Sequence, residues 1–516
     1  MFFMTTFTVL RGATGTGTTT GIFSLPPLPT RDRISVRALR EVLLALILSV
    51  LPMLAFGQVI TVTTTDNDGP GSLRQAIEDA NAQPNVGTIT FDIATGTAPF
   101  IITLSSDLPV ISEDLTIDGS TQSGYTLAGG PVVQISGGDT QLEINGQGVN
   151  VAINALDLSH TTTDHEGTGL EFFTTAQGAN GGSLSLTNSK ISYRRRAIGL
   201  RGPGDVTLTN NDITNSGVQS NGAVRLLLMT GTLSMTETQW GGADAGRAIE
   251  VDRVDGVYIG DDAAGYSGSN FKIEVKGGEG FDNIDGANGY VVAFLNGVVG
   301  ATLENLNLSA PPGSSTGNAV SFGSGTSGNV SVSNLIANRR FIGIFMGGSA
   351  NYVLTNNDLR NTGSGGVFAA LRLVNMTGSL IADGTLWGNG AGSGAAIRVE
   401  GTDNVYIADD ATTHAGSDFR IQVDASDGLN TCDVGPVIYA KDAAGMTVKN
   451  VDLSDPSGQT SWGVQFQGAM SGAVVLDNVK VNSRSVGVEL AGGRTIRCPA
   501  SILPTPAPRT AFPPCV

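Results

Sequence analysis

Two pairs of adjacent carboxylates have the residue types and spacing that could cleave a glycosidic bond. Asp261-Asp262 follows an apolar triplet and Gly260, and Asp409-Asp410 occupies the matching place 148 residues later. Paired carboxylates can divide acid and base roles between them. The sequence has no His-Gly dipeptide to complete such a site, and the pair is duplicated together with its surroundings. We therefore interpret these four aspartates as catalytic candidates whose simpler role is to form turns after strands.

Two other polar segments could bind a metal ion or act on a proton. Asp66-Asn67-Asp68-Gly69 resembles part of a Ca²⁺ loop, but Pro70 and the missing distal Glu break the EF-hand spacing. His160 and His165 flank a polar stretch that is more typical of a solvated loop than of a catalytic pair. We expect no cofactor and no metal site, with Ca²⁺ as the alternative kept open.

The arginines and the isolated cysteine have structural interpretations. Arg194-Arg195-Arg196 is expected to face solvent, although the recurrence of Arg195-Arg196 as Arg339-Arg340 permits a basic stripe. Arg201-Gly202-Pro203 is the string closest to the arginine base of a lyase, and we interpret it as a loop. Cys432 is expected to be a small core residue.

The element that must position these residues is an internal repeat of roughly 147 residues. Val257-Tyr258-Ile259 recurs as Val405-Tyr406-Ile407, and 271–275 recurs as 419–423, both at a spacing of 148 residues. The segment 208–213 recurs as 354–359, 146 residues later. The unit occurs roughly two and a half times, beginning within a partial copy near Gly148.

A shorter period lies inside each unit. Alternating apolar and polar residues precede an Asn, and this alternation predicts a short strand. Asn tolerates the left-handed backbone conformation, so it can turn the chain into the next strand. Coils of roughly 22–25 residues with three such strands predict an all-β fold, a right-handed parallel β-helix. A β-propeller or a sandwich is the alternative, but those folds need hairpin turns and more aromatic residues. The turn positions are Asn188, Asn210, Asn305, Asn334, Asn356, Asn450 and Asn478.

A short helix is predicted at the start of the solenoid. Ser72 is a natural N-cap for 73–82, and Leu73, Ala76, Ile77 and Ala80 share one face that could cover the end of the stack. The segments 62–77, 88–91 and 108–125 resemble the N-terminal cap of secreted bacterial β-helix proteins related to polymorphic outer-membrane proteins. The resemblance covers about 65 residues. It implies a pectate-lyase-like fold, export to the surface or medium, and an adhesin-like role without a settled activity.

Composition excludes several classes of protein. The 516 residues include 71 Gly and carry a net charge of −17, which argues against a nucleic-acid or anionic-membrane partner. Three Cys are too few for a disulfide scaffold. With 40% hydrophobic residues the chain can build a large core, so wholesale disorder is excluded.

Both ends differ from the repeats. Arg37 and Arg40 precede an apolar run over 42–54, which predicts a signal peptide cleaved near Gln58. The residues after 493 are basic, rich in Pro and contain Cys498 and Cys515, so we expect a disordered tail, from a truncation or a frameshift. The predicted organisation is a leader at 1–57, a cap with the first coils at 58–147, the β-helix at 148–493 and the tail at 494–516.

These features together predict a secreted or surface-displayed β-helix with an adhesin-like or envelope role, more expected to lack catalysis than to have it. The alternative is a polysaccharide lyase or glycoside hydrolase that acts on acidic glycans. Glycans or surface proteins are the expected partners, with no nucleic acid and no transmembrane segment in the mature chain. The ligand, the surface anchor and the oligomeric state stay open.

Overall fold

The structure is a computed structural model that describes residues 57–490 apart from eleven short segments. These described residues all belong to one compact unit that begins at Phe56. The predicted leader and the Pro-rich tail, with Cys498 and Cys515, lie outside the described residues. The segments left out are 84–85, 161–165, 174–180, 219–220, 243–245, 285–288, 313–316, 363–367, 389–393, 433–434 and 456–461.

The described chain forms three parallel sheets, which we name sheets A, B and C. Sheet A contains β1 (Gln58–Val62), β2 (Val86–Phe91), β4 (Leu115–Asp118), β7 (Asn150–Asn154), β10 (Ser183–Thr187), β12 (Asp205–Thr209), β14 (Thr232–Thr236), β16 (Val257–Gly260), β17 (Phe271–Glu274), β19 (Val299–Glu304), β21 (Ser327–Ser333), β23 (Asn351–Thr355), β25 (Ser379–Asp383), β27 (Val405–Ala408), β28 (Phe419–Gln422), β30 (Ala444–Lys449) and β32 (Ser471–Asp477).

The other two sheets differ in size. Sheet B contains β3 (Phe100–Thr103), β5 (Val133–Ser136) and β8 (Leu156–Asp157), and isolated parallel bridges continue it along the stack. Sheet C contains β6 (Thr140–Asn145), β9 (Thr168–Phe173), β11 (Arg196–Arg201), β13 (Val224–Leu227), β15 (Ile249–Asp252), β18 (Tyr290–Phe294), β20 (Asn318–Phe322), β22 (Ile342–Gly347), β24 (Ala369–Val374), β26 (Ala395–Glu400), β29 (Pro436–Lys441), β31 (Trp462–Gln467) and β33 (Val486–Leu490).

The chain runs from sheet C to sheet A to sheet B and then begins the next coil, which confirms the predicted right-handed parallel β-helix. Alternating side chains fill the interior: in β12, Val206 and Leu208 are buried, whereas Asp205 and Thr207 are exposed. Aromatic side chains stack between coils, as where the rings of Phe294 and Phe322 lie 4.8 Å apart. Contacts between neighbouring coils therefore build one continuous core.

The Asn residues at the end of the sheet A strands adopt the left-handed conformation, as predicted. Asn210 has φ of 55° and Asn356 has φ of 53°. Both side chains are exposed, so these two residues do not supply a buried amide. The buried amide belongs to the next residue: Asn211 is 1% exposed, accepts from the Ser189 N–H at 3.0 Å and donates to the Leu186 carbonyl at 3.0 Å.

The roughly 147-residue repeat contains one reversal of strand order. β16 and β17 are consecutive in sequence and both lie in sheet A, but β17 is inserted between β14 and β16. β28 is inserted between β25 and β27 in the same way. Strands β16 and β17 are formed largely by the segments 257–259 and 271–275, which recur at 405–407 and 419–423 in β27 and β28. The clearest sequence repeat therefore marks the place where the chain steps back by one strand.

The predicted helix is present as α1 (Leu73–Ala82), and the side chain of Ser72 caps it by accepting from the Gln75 N–H at 3.2 Å. Leu73, Ala76 and Ile77 are buried against the first strands, as the periodicity required. Among the described residues no helix is long and apolar enough to cross a membrane.

One arginine in each unit is enclosed by the coil, which corrects the expectation of a solvent-facing Arg194. Arg194 is 0% exposed, and its guanidinium donates to the Leu158 carbonyl at 3.0 Å and to the Glu166 carbonyl at 3.3 Å. Burial lowers the pKa of Arg194 to about 10. Arg340 is buried in the same manner and donates to the Leu308 carbonyl at 2.7 Å. Arg195 alone keeps the predicted exposure.

Candidate functional site

The predicted catalytic candidates Asp261 and Asp409 begin ladders of hydrogen-bonded amides. Asp261 accepts from the Asn305 amide at 2.7 Å, and Asn305 accepts from Asn334 at 2.8 Å. Asp409 accepts from the Asn450 amide at 2.9 Å in the same way. Each carboxylate is thus the first acceptor in a row of hydrogen-bonded amides at the edge of sheet A. This is the role of a turn residue.

The neighbouring Asp262 and Asp410 lie in the loops between the doubled strands. Asp262 accepts from the Gly265 N–H at 3.0 Å. Asp410 accepts from the Tyr406 hydroxyl at 2.7 Å, and that hydrogen bond, with Lys449 nearby, lowers the pKa of Asp410. A lowered pKa suits a stabilised carboxylate and not a general acid. The structure does not combine these four aspartates into one acid and base pair.

The remaining sequence candidates form no metal cluster in the described part of the chain. In the possible Ca²⁺ loop, the Asn67 side chain accepts from the Ser105 N–H at 2.9 Å and so braces a turn. No three His, Cys, Asp or Glu side chains in the described part of the chain lie close enough to hold a metal ion. His165 lies outside the described residues, and Cys432 is buried as predicted. Asp409 also lines a cleft of about 350 Å³ together with Asp424, Asp452 and Lys480.

A different surface gathers charged and aromatic side chains, namely the outward face of sheet C, here called the sheet C face. The parallel register places one outward residue from each strand in a single column. In stack order the column reads Glu143, Glu171, Gly199, Arg225, Glu250, Ala293, Ser321, Phe345, Arg372, Arg398, Tyr439, Gln465 and Glu489.

The first part of this column holds two carboxylates side by side. Glu143 of β6 and Glu171 of β9 are register partners, so their strands lie about 4.8 Å apart. Both side chains point away from the core, because the flanking Leu170 and Phe172 are 0% exposed. Burial raises the pKa of Glu171, against the opposing effect of Arg196, and the charge of Glu143 adds to the rise.

Gly199 of β11 allows Arg196 to pack beside Glu171. A Cβ at this position would lie 3.4 Å from Cδ of Arg196 and 3.5 Å from Cγ of Glu171. The Arg196 guanidinium lies 3.8 Å from the Glu171 carboxylate, and burial lowers the pKa of Arg196. Gly199 is itself buried, so the side chains of Arg196 and Glu171 lie over this position and meet each other there.

Arginines surround the next carboxylate in the column. Arg225 and Arg247 each contact Glu250 at 3.0 Å, and Glu250 is only 5% exposed. The Nε groups of Arg196 and Arg247 are buried and have no hydrogen-bond partner among the described residues. Buried donors without partners are costly, so these groups suit an anionic or hydroxyl-rich ligand. We name Glu143, Glu171, Arg196, Arg225, Arg247 and Glu250 the charged segment.

Farther along the same face lies an aromatic segment, formed by Tyr290, Phe345, Arg372, Arg398, Glu400 and Tyr439. Phe345 is partly exposed, and its ring lies 6.1 Å from that of Tyr290. The guanidinium of Arg372 lies 5.7 Å from the Phe345 ring centroid, and that of Arg398 lies 4.1 Å from the Tyr439 ring centroid. Arginines stacked on rings keep their N–H groups available at the edges.

Sequence analysis missed this face because each of its residues lies in an ordinary alternating strand. A usable signal was present: Leu170-Glu171-Phe172, Leu371-Arg372-Leu373 and Ile397-Arg398-Val399 each place one charge between two core residues. Aligning these strands as one column would have brought the charges together. The two aspartate pairs are prominent in the sequence because they recur together with the strands that flank them.

The chain is similar to solved structures of polysaccharide-modifying enzymes. No family model and no curated protein matches it. The A-module of mannuronan C-5 epimerase AlgE4 from Azotobacter vinelandii is 10% identical, with a TM-score of 0.29, over 84% of this chain and 100% of that one. A catalytic domain of GH87 α-1,3-glucanase in complex with nigerose is 10% identical, with a TM-score of 0.33, over 84% and 68%. The catalytic unit of a GH87 α-1,3-glucanase from Streptomyces thermodiastaticus is 11% identical, with a TM-score of 0.29, over 84% and 66%.

These comparisons overturn the predicted non-catalytic, adhesin-like or envelope role. The solved structures with this similarity are named as an epimerase and as glucanase catalytic domains, so the non-catalytic role is withdrawn. The pectate-lyase-like β-helix is retained, whereas the closer relationship to polymorphic outer-membrane proteins gains no support. At this level of similarity the comparison concerns the fold, and any activity must come from the chain's own side chains.

Proposed function

We propose that the chain is a secreted glycoside hydrolase that cleaves an acidic polysaccharide lying along the sheet C face. The observation that carries this proposal is the register pair Glu143 and Glu171, in which burial raises the pKa of Glu171. A carboxyl group with a raised pKa remains protonated at higher pH and can donate its proton to a leaving group.

The spacing of the pair favours hydrolysis with retention of configuration. The backbones of neighbouring strands lie about 4.8 Å apart, so side chains that leave them in parallel can hold their carboxyl groups at the separation of about 5–5.5 Å found in retaining glycosidases. Glu171 donates its proton to the glycosidic oxygen while Glu143 attacks the anomeric carbon. Water then releases the sugar from Glu143, and Glu171 takes up the proton that the water loses.

The arginines of the charged segment favour an acidic substrate. Arg196, beside Glu171, and Arg247, beside Glu250, each have a buried Nε without a partner among the described residues. A uronate carboxylate can accept from such groups, and charge-assisted hydrogen bonds are stronger than neutral ones.

Export is part of the proposal and rests on the sequence. The apolar run over 42–54 follows Arg37 and Arg40, which is the pattern of a signal peptide. An extracellular location suits an enzyme whose substrate is a polysaccharide too large to enter the cell.

The test is reducing-end release from polygalacturonate, alginate and a neutral glucan. Glu171→Gln keeps the size of the side chain but removes the transferable proton, so activity on an acidic polymer should fall at least about 100-fold. Glu489→Gln is the matched control, because Glu489 occupies the same column on β33, eleven strands farther along the sheet.

Equal activity of wild type and Glu171→Gln would contradict the assignment of the acid. An absence of cleavage on every polymer by the wild-type protein would contradict the proposed hydrolase. A preference for the neutral glucan would leave the carboxylate pair in place but refute the role given to the arginines.

A further inference from the structure

The aromatic segment lies on the same face as the proposed acid but far from it along the stack. Phe345 occupies the column that contains Glu171, six strands farther along sheet C. Six steps of about 4.8 Å place the two residues about 29 Å apart. A short oligosaccharide at Glu171 cannot reach Phe345, whereas an extended polymer parallel to the stack can.

Phe345 and Tyr290 form an apolar surface on an otherwise polar face. The neighbours of Phe345 in β22, Ile344 and Met346, are 0% exposed, so alternation directs the Phe345 ring outward. The ring remains partly exposed even though Tyr290 lies 6.1 Å away and Arg372 lies beside it. Covering such a ring with the apolar face of a pyranose removes carbon surface from water.

Polar groups beside the ring match the hydroxyl and carboxylate groups of a sugar. Arg372 contacts the Glu400 carboxylate at 2.9 Å, but its buried Nε has no hydrogen-bond partner among the described residues. Burial acts to raise the pKa of Glu400, but hydrogen bonds from Arg372 and Arg398 outweigh it and lower that pKa, so Glu400 is an ionised acceptor. A flat apolar ring with a few polar groups at its edge is the usual composition of a carbohydrate site.

We propose that the aromatic segment is a second glycan-binding subsite, which holds a distant part of the polymer that Glu171 cleaves. This inference rests on the proposed hydrolase and adds its substrate class, namely long acidic polymers in preference to short oligosaccharides. Binding energy gained about 29 Å from the bond that breaks helps only substrates long enough to reach both places.

The test compares cleavage of polygalacturonate with cleavage of a galacturonate trisaccharide. For Phe345→Ala, the ratio of kcat/KM on the polymer to kcat/KM on the trisaccharide should fall about tenfold, a loss typical of one contact ring. Val353→Ala is the matched control, because Val353 is an exposed apolar residue of the same coil that lies on sheet A, away from the sheet C face. This variant should leave the ratio at the wild-type value.

A second readout separates this inference from the proposed activity. Retardation of the protein in gels that contain polygalacturonate measures binding without cleavage, and Phe345→Ala should lose most of the wild-type retardation. An unchanged kcat/KM ratio, or equal retardation of wild type and Phe345→Ala, would overturn the subsite. If the wild type is retarded through Phe345 but cleaves nothing, the subsite stands and the proposed hydrolase fails.

Discussion

Replacing Asn211 should destabilise the solenoid more than replacing its neighbour Asn210. Asn211 is 1% exposed and makes two hydrogen bonds of 3.0 Å to main-chain groups of the preceding coil. In Asn211→Ala the Ser189 N–H and the Leu186 carbonyl both remain buried without a partner. Each such loss costs about 1–3 kcal/mol, so the free energy of unfolding should fall by about 2–6 kcal/mol.

Asn210 contributes mainly through its backbone conformation. Its φ is 55°, and its exposed amide donates to Asn188 at 2.7 Å. Alanine in the left-handed region costs about 1–2 kcal/mol, and an exposed hydrogen bond adds little. Asn210→Ala should therefore cost about 1–2 kcal/mol, while Asn210→Gly, which accepts a positive φ without strain, should be nearly neutral.

Urea denaturation followed by circular dichroism measures these differences, with the slope of each transition compared to confirm that the same surface unfolds. The matched pair Asn356 and Asn357 in the next unit should give the same order, because Asn357 is also 1% exposed and bonds to the preceding coil. A larger loss for Asn210→Ala than for Asn211→Ala would refute the assignment of the buried amide to the second Asn of each pair.

Three other outcomes follow from the structure. Because Glu171 must be protonated to act as the acid, kcat/KM should fall as the pH increases through its pKa, which burial raises. Arg196 opposes that rise, so Arg196→Gln should raise the pKa further and move the alkaline limb to higher pH. A pH–rate profile of each protein measures both effects. Asp261→Leu should leave cleavage unchanged. The loss of its exposed hydrogen bond from Asn305 should lower the free energy of unfolding by about 1 kcal/mol. A large loss of activity would restore Asp261 as a catalytic candidate. Arg194→Met should cost about 2–4 kcal/mol because the enclosed guanidinium no longer donates to the buried Leu158 carbonyl and the partly buried Glu166 carbonyl. Exposed Arg195→Met should cost under about 0.5 kcal/mol, and equal denaturation midpoints for the two variants would show that these contacts are dispensable.

The local features of the fold could be predicted from sequence because short-range chemistry determines them. Ser72 caps a helix by reaching the Gln75 N–H, and Asn210 ends a strand because it tolerates a positive φ. The repeat period follows from self-similarity. Each of these signals lies within a few residues of the structure that it specifies.

The strand reversal and the buried arginines could not be predicted in the same way. β17 lies between β14 and β16 because of pairing with coils on both sides, which alternation within one strand does not record. Arg194 looks solvated in sequence because arginine is seldom buried. Carbonyl groups of residues 158 and 166 compensate the guanidinium, and they meet it only when the coil closes.

The candidate site depends on register between coils, so it was invisible until the strands were paired. Glu143, Glu171 and Arg225 are 28 and 54 residues apart along the chain and belong to different coils. The duplicated aspartates were prominent in sequence, yet they lie at sheet A turns. Repetition therefore marked the scaffold, while the site lies where the outward residues differ from coil to coil.

Azide rescue of Glu171→Ala tests the central claim most directly. A small anion can occupy the space left by the acid/base carboxylate and attack the sugar bound to Glu143. The substrate must carry a leaving group that departs without a proton, so a 2,4-dinitrophenyl glycoside of an oligogalacturonate is used. With it, sodium azide should restore turnover to Glu171→Ala and yield a glycosyl azide that retains the anomeric configuration. If the wild type cleaves the polymer but azide neither restores turnover nor gives that product, Glu171 is not the acid/base residue and the assigned site is wrong.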